Sequence, residues 1–325
     1  MTGERARAAA TLEHSSALRW VRKVPLRNNI VYVAFFVLCA SFTRATPYFL
    51  TEQNLQIIIL ETAATAIIAC GMTYVMIGAD IDLSVGAMYA FSGTFAAYLM
   101  QDNWNWAAAS CAALGAGALL GLFNGLLSVR SGIPSFLITL GSLGIVSGLA
   151  LSLSGTAPIS IYSTQFGQVF GTGHILGMQS PIWWATGVAV LAGIMLGRTV
   201  YGRHVYAIGG DREVSRLQGI PVGRIRITNF TLAGILAALA GLTISARIST
   251  GLPTIGSDLE LDVITAVVIG GTSLFGGKGY VFGTIVGSLI ITIIANGLVL
   301  TGINANLQTT IKGIILILTV ILRGV

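Results

Sequence analysis

Ten stretches of mostly apolar residues run along this chain, separated by polar or charged stretches. Each is close to the roughly 20 residues that a helix needs to cross a bilayer. The stretch at 258–276 begins with acids, so it either spans the membrane or is re-entrant. The ten predicted spans are 30–47, 54–78, 83–100, 106–128, 133–153, 181–198, 227–249, 258–276, 279–300 and 306–322.

Composition supports an all-α integral membrane protein. Hydrophobic residues make up 54% of the chain and charged residues 9%, with a mean hydropathy of +0.83, whereas soluble domains carry about 25% charged residues. We therefore predict a polar tail at 1–29 and a transmembrane domain at 30–325. Small residues let membrane helices pack closely, and three pairs or triplets have the required spacing: Gly117/Gly121/Gly125, Gly144/Gly148 and Gly283/Gly287. The cysteines Cys39, Cys70 and Cys111 lie in apolar stretches and are expected to be structural thiols.

The basic residues predict the orientation. Loops that stay in the cytoplasm are enriched in Lys and Arg. With ten spans, all but three of the 18 Lys and Arg residues fall on one side, the exceptions being Arg44, Arg247 and Lys312. We expect both termini to be cytoplasmic and the uncharged stretch 154–180 to lie outside.

One long charged segment, 198–226, interrupts the apolar sequence. It contains a short helix candidate with Asp211 at the N-cap position, and Gly219 and Pro221 after its end. A helix with charges of both signs at the cytoplasmic face is expected to bind a soluble partner.

Two motifs recur in the same order in both halves of the chain. Residues 78–83 (GADIDL) resemble 256–261 (GSDLEL), and Asn-Gly-Leu occurs at 124–126 and 296–298. If the second to fifth spans match the seventh to tenth, the odd offset inverts the second copy across the membrane. Inverted repeats are typical of transporters.

Acidic residues within or beside the spans need a physical reason, because a carboxylate at the bilayer centre costs roughly 2.5–3.5 kcal/mol. They either line a route for a hydrophilic solute, relay protons, or cap helix starts. Glu61 has a further alternative, an ion pair with Arg247. The residues in question are Glu61, Asp80, Asp82, Asp258 and Asp262.

No catalytic centre is predicted. His14, His174 and His204 lie far apart in three different polar segments, so neither a metal site nor a base–nucleophile pair is indicated. The glycine-rich stretch 277–283 lacks the Gly-Lys-Ser/Thr ending of a phosphate-binding loop. We expect no cofactor, no bound nucleic acid and no ATP hydrolysis by this chain itself.

Four stretches resemble the ribose/xylose-type sugar permeases of ABC importers. They are 71–86 (GMTYVMIGADIDLSVG), 133–141 (IPSFLITLG), 205–211 (VYAIGGD) and 260–277 (ELDVITAVVIGGTSLFGG). The resemblance extends from about residue 50 to the C-terminus. One departure is Ala79, where the family usually has glycine.

The resemblance implies a bacterial inner-membrane protein with the ten-helix fold of the cobalamin-importer type. It also implies a second permease, either a copy or a paralogue, and two cytoplasmic ATPase domains that bind ATP and Mg²⁺. A periplasmic or lipid-anchored binding protein would deliver a monosaccharide. By this analogy the short cytoplasmic helix couples the permease to the ATPase through Asp211, Arg212, Glu213, Val214, Arg216 and Leu217.

Two other functions stay open at this point. One is a permease of the same fold for an amino acid, a nucleoside or an autoinducer, and the other is a proton-coupled secondary transporter. For a neutral sugar we expect hydrogen-bonding and stacking groups along the route. The candidates are Asn124, Phe136, Thr139 and Asn296, with the alternative that both asparagines only bond neighbouring helices.

Overall fold

The described part of the chain, residues 26–323 of a computed structural model, consists of thirteen helices and four two-residue strands. The helices are α1 (Leu26–Ala45), α2 (Glu52–Ile77), α3 (Val85–Gln101), α4 (Trp106–Ser131), α5 (Ser135–Ser154), α6 (Thr164–Phe166), α7 (Ser180–Arg198), α8 (Val200–Gly210), α9 (Arg212–Leu217), α10 (Val222–Ile248), α11 (Leu259–Ile269), α12 (Val281–Leu300) and α13 (Ala305–Arg323). The strands are β1 (Ile159–Ser160), β2 (His174–Ile175), β3 (Met178–Gln179) and β4 (Thr250–Gly251), and a π-helical turn covers Gly167–Gly171.

Every predicted span contains a helix, and six of the helices in the described residues are both long and apolar enough to cross a membrane: α2, α4, α5, α7, α10 and α12. The stretch 258–276, for which a span and a re-entrant segment were both open, contains only a short helix, α11. Helix α11 has 11 residues and is about 16 Å long, half of a 30 Å hydrocarbon core. Of the predicted tail, residues 1–25 lie outside the described part, and α1 begins at Leu26.

Glycines bring α4 and α10 into close contact. A Cβ added at Gly117 would lie 2.5 Å from the Gly234 carbonyl oxygen, and one at Gly121 would lie 2.3 Å from that of Phe230. The predicted packing role is therefore confirmed for the triplet on α4. Gly144 and Gly148 on α5 contact no neighbouring helix within residues 26–323, where a Cβ added at either glycine meets open space.

Helix α8 was not predicted, because its sequence was assigned to a loop. Its Val205 and Ile208 are buried, so it lies along the bundle with one apolar face inward. Tyr206 donates a hydrogen bond of 2.7 Å to the Gly279 carbonyl. Burial raises the pKa of this hydroxyl further above neutral pH, so the hydroxyl is protonated and can donate. The helix therefore supports the turn between α11 and α12.

Two small antiparallel pairings close the other end of the bundle. Strand β1 pairs with β4, with Ile159 opposite Gly251, and β2 pairs with β3 across a two-residue turn at Leu176 and Gly177. Both turn residues have positive φ, as a tight hairpin requires. The bundle thus has two unlike ends. We call the end that carries α8 and α9 the basic face and the end with the strands the hairpin face.

Candidate functional site

The two shortest helices of the bundle core, α3 and α11, begin beside each other in its interior. A Cβ added at Gly86 would lie 2.3 Å from the Glu260 carboxylate oxygen Oε2, and one at Gly256 would lie 2.7 Å from the Tyr89 ring. Gly256 also has a φ of +78°, a conformation that glycine adopts without strain. We call this contact, formed by Gly86, Tyr89, Gly256, Asp258 and Glu260, the junction.

From the junction the two helices run towards opposite faces. Helix α3 ends near the hairpin face, where Thr94 and Ala97 pack against Gly251 of β4. Helix α11 ends near the basic face, where Gly270 packs against Gly283. Each helix N-terminus carries a partial positive charge, so two such ends meet inside the bundle. A cavity of about 200 Å³ adjoins them, with Ser147 of α5 and Thr254 in its wall.

Each of these helices is preceded by a non-helical stretch, which we call the first lead-in (79–84) and the second lead-in (252–258). In the first lead-in the Ile81 amide donates to Ser135 Oγ at 3.2 Å and the Leu83 amide donates to Thr139 Oγ1 at 3.1 Å. Side chains of α5 therefore satisfy backbone groups that would otherwise be buried without a partner.

A chain of polar side chains continues from this lead-in. Asp82 accepts hydrogen bonds from the amide and the hydroxyl of Ser84. Asn124 donates to Ser84 Oγ at 2.9 Å and accepts from Ser142. Asp82 thus holds the residue just before α3 and accepts no hydrogen bond from the first turn of that helix, and Asn124 links α3, α4 and α5.

Asp80 lies at the centre of an ion-pair cluster at the basic face. Its side chain is 4% exposed, and Arg226 binds both carboxylate oxygens at 2.7 and 2.8 Å. Arg212 contacts the same carboxylate at 3.0 Å and donates to the carbonyl oxygens of Gly78 and Ala79. The cluster thus connects α9 and α10 to the end of α2. Arg212 was predicted as part of the coupling helix and Arg226 only as a topology signal, and neither was predicted to pair with Asp80.

The short helix at the basic face is present as α9. The Asp211 carboxylate caps it by accepting hydrogen bonds from the amides of Glu213 and Val214. Gly219, with a φ of +80°, follows its end, and Arg216 pairs with Glu213 at 3.0 Å. Leu217 is 81% exposed and Val214 is also exposed. The helix therefore presents two apolar side chains to the outside of the bundle.

A cavity of about 520 Å³, which we call the arginine cavity, lies behind α9 and beside the start of α5. Three arginines and one acid, Asp80, provide its charged groups. Among the candidate pathway residues, Phe136 lines this cavity, whereas Thr139 is completely buried. The arginines are Arg212, Arg216 and Arg226.

Towards the hairpin face, a second group of charges lines a cavity of about 270 Å³: Glu61, Arg247, Asp262 and Lys312. Asp262 and Lys312 form an ion pair, with side chains 15% and 29% exposed. The positive-inside count had placed Lys312 outside, but the structure places it within α13 against α11. Glu61 and Arg247 face the same cavity, and no ion pair within 4.0 Å joins them in residues 26–323.

The remaining candidate, Asn296, forms two reciprocal hydrogen bonds with Asn54 at 3.0 and 2.8 Å. Like Asn124, it therefore bonds a neighbouring helix, as the alternative interpretation expected. Within the described residues, no group of three or more His, Cys, Asp or Glu side chains is arranged to hold a metal ion.

Comparison with known proteins places this geometry in context. The family described as the permease component of branched-chain amino acid transport systems matches residues 54–320. The chain is 37% identical over 314 residues to the ribose import permease protein RbsC of Escherichia coli (strain K12), which covers 96% of this chain and 98% of that protein.

Two further relatives carry other sugars in their names. The L-arabinose ABC transporter permease protein AraH of Azospirillum brasilense is 37% identical, over 91% of this chain and 86% of its own. The xylose transport system permease protein XylH of Haemophilus influenzae is 32% identical, over 92% of this chain and 96% of its own. No solved structure matches the chain.

Proposed function

We propose that this chain, which belongs to the branched-chain amino acid transport system permease component family, is the membrane subunit of an ATP-driven sugar importer. Its cargo is a monosaccharide of the pentose or hexose class. The sequence relatives named for ribose, arabinose and xylose support the sugar assignment, because each aligns with nine-tenths or more of this chain. ATP hydrolysis belongs to a partner subunit, which binds the ATP and Mg²⁺.

The single structural observation that carries this proposal is the junction of α3 and α11. Transporters commonly place their solute site where two interrupted helices meet near the membrane midplane. The recurring motifs 78–83 and 256–261 precede or begin these two helices, and the helices diverge towards opposite faces. This supports an inverted repeat and a fold of the cobalamin-importer type.

The route passes the junction and its adjoining cavity. Ser147, Thr254 and Glu260 offer hydrogen bonds to sugar hydroxyls there. Asn124 and Thr139 shape the route indirectly by holding the first lead-in, and Phe136 borders it at the basic face. Asn296 is too firmly paired with Asn54 to bind solute and instead fixes α12 against α2.

We assign the basic face to the cytoplasm. Positive charge is retained on the cytoplasmic side of membrane proteins, and the segment 198–226, which contains α8, α9 and the start of α10, carries six of the eleven arginines in residues 26–323. The segment 155–179 contains no Lys, Arg, Asp or Glu and lies outside. Both termini are then cytoplasmic.

A labelling experiment tests this orientation. A cysteine at Gln218 is expected to react only from the cytoplasm and one at Thr164 only from outside, since both side chains are exposed. A cysteine at Ser215 on α9 would not be a suitable labelling site, because that side chain is only 2% exposed. The exposed Cys111 must first be replaced. Reaction of both positions from one side would refute the assignment.

The partners follow from the exposed surfaces. Helix α9 docks into the ATPase through Val214 and Leu217, and the Arg212–Asp80 contact passes its movement to the first lead-in. The open glycine face of α5, with Gly144 and Gly148, is covered by the second permease. An extracytoplasmic binding protein docks on the hairpin face and selects the sugar.

Uptake by the assembled importer in proteoliposomes tests the function. With its binding protein outside and ATP inside, we expect accumulation of ribose, arabinose or xylose that stops when ATP is omitted. Accumulation of leucine but of no sugar would favour the amino acid alternative. Uptake without ATP that collapses with the proton gradient would favour a secondary transporter.

A further inference from the structure

The arginine cavity is lined by more positively charged than negatively charged side chains. Among the described residues, Asp80 is the only acid that lines it, and that carboxylate is already shared by Arg226 and Arg212. Arg216 pairs with Glu213 on the exposed side of α9. Three guanidinium groups therefore face a cavity with one carboxylate, so the cavity retains positive charge.

Two buried polar atoms in its wall have no hydrogen-bond partner. Ser128 is 1% exposed, and its hydroxyl oxygen is one of only five such side-chain atoms in the described residues. Arg212 Nε is another. Ser131, one turn further along α4, instead donates to the Leu127 carbonyl at 2.7 Å. The Ser128 hydroxyl thus forgoes the bond that serine usually makes in a helix, and buried groups left unpaired are costly.

Helix α5 contributes a third feature. It begins at Ser135 after Pro134, without a side chain that caps its first turn, and both residues line the cavity. The partial positive charge of a helix N-terminus favours anions. Guanidinium groups, a hydroxyl and a helix N-terminus together are the groups that bind phosphate.

We propose that the arginine cavity binds a phosphate monoester from the cytoplasm. Its volume of about 520 Å³ is within the range of small-molecule sites and exceeds what a bare phosphate needs. Residues Ser128, Arg212 and Arg216 hold the phosphoryl oxygens, and the remaining space takes the esterified polyol. The apolar docking residues Val214 and Leu217 are not in the cavity wall, so the site lies behind the surface that meets the ATPase.

Occupancy of this site would act on transport through α9. The ligand binds α9 through Arg212 and Arg216 and binds α4 and α5 on the other side, so it fixes the position of α9 relative to the first lead-in. If the imported sugar is phosphorylated and accumulates in the cytoplasm, its phosphate ester would then occupy this site and slow further import. This role rests on the proposed function, whereas binding of the anion does not.

The test is isothermal calorimetry on the full chain in nanodiscs and on the assembled importer, with inorganic phosphate and ribose 5-phosphate as probes and unesterified ribose as control. We expect ribose 5-phosphate to bind at least tenfold more tightly than phosphate, and ribose alone to give no signal. Ser128→Ala and Arg216→Gln should each weaken binding about tenfold, the effect of one hydrogen bond to a charged group. Arg224→Gln removes the same charge from an exposed position outside the cavity and should leave affinity unchanged.

Other outcomes overturn the proposal or name its ligand source. Equal affinity for phosphate and its ester would identify inorganic phosphate as the ligand and overturn the ester assignment. Equal losses in Arg216→Gln and Arg224→Gln, or no binding at all, would exclude the site. Binding to the permease that disappears in the assembled importer would show that the docked ATPase excludes the anion, and it would overturn the role in transport. Because calorimetry needs no transport, none of these results depends on whether the chain imports sugar.

Discussion

Both lead-ins precede a short helix that begins at the junction, but different contacts hold them in place. The first lead-in is held by Ser135 and Thr139 and is tied to α9 and α10 through Asp80. Within residues 26–323, the hydrogen bonds of the second lead-in are local turn bonds, such as that from the Ile255 amide to the Leu252 carbonyl. One ion pair, Asp262 to Lys312, joins its helix to α13.

This difference indicates which side of the junction moves. A segment bound by several buried contacts transmits a displacement as a rigid body, whereas one with few contacts opens at low free energy. The first lead-in is therefore suited to carry movement from the ATPase, and the second lead-in is suited to open the route. Four substitutions test this contrast, in order of decreasing effect.

The largest effect is expected at Asp80. Asp80→Asn leaves Arg226 and Arg212 in a largely buried site without a counter-charge, and breaking such a pair costs about 3–5 kcal/mol. We expect a clear fall in the thermal stability of the purified permease and loss of transport. The control is Asp102→Asn, which removes an exposed acid beyond the end of α3. Normal stability in Asp80→Asn would show that the first lead-in is not held by this cluster.

The second largest effect is expected at α9, through which movement of the ATPase would reach the permease. Leu217→Asp places a charge on an apolar anchor, and truncating such anchors at an interface commonly costs about 2 kcal/mol or more. We expect at least a tenfold loss of ATPase affinity in a pull-down titration, with normal membrane insertion. Leu176→Asp makes the same change at a leucine that is 86% exposed on the hairpin face and should not affect ATPase binding. A normal affinity in Leu217→Asp would exclude α9 as the docking element.

The third largest effect is expected at the junction, where α3 and α11 meet. Gly86→Ala would place a methyl group 2.3 Å from the Glu260 carboxylate, and such overpacking costs about 1–3 kcal/mol. We expect reduced transport with normal ATPase binding. A second change, Glu260→Ala, should restore part of the stability by removing the clash.

The matched control for the junction is Gly193→Ala on α7, where the added carbon meets only open space. If Gly193→Ala and Gly86→Ala behave alike in uptake and in thermal stability, the junction is not a tight contact. The presence of glycine at position 86 would then have to be explained by helix packing away from the junction.

The smallest effect is expected at Lys312. Its ion pair with Asp262 is more accessible than that of Arg226 with Asp80, with side chains 29% and 15% exposed against 12% and 4%, so water compensates more of the lost partner. Lys312→Met should lower stability slightly and change the transport rate without abolishing it, while Lys312→Arg should behave as the parent. A loss as large as that of Asp80→Asn would contradict the contrast between the two lead-ins.

The sequence predicted the helices well because each apolar stretch fits one crossing. At 258–276 the sequence left a span and a re-entrant segment as alternatives, because the apolar run continues beyond Ile269 although the helix does not. Helix α8 escaped prediction because its apolar face is short and lies among charges. The Asp80 cluster joins residues more than 130 positions apart, and no local pattern reports such a contact.

The shortness of α11 also constrains how the protein enters the membrane during synthesis. Its 11 residues begin with Glu260 and Asp262 in the first turn, and each carboxylate opposes insertion by roughly 2.5–3.5 kcal/mol at the membrane centre. Such a segment is a poor substrate for the translocon by itself. We expect α11 to stay in a polar environment until α12 and α13 have left the ribosome. Lys312 on α13 can then pair with Asp262. The ribosome must therefore complete nearly the whole chain before this half of the route can assemble.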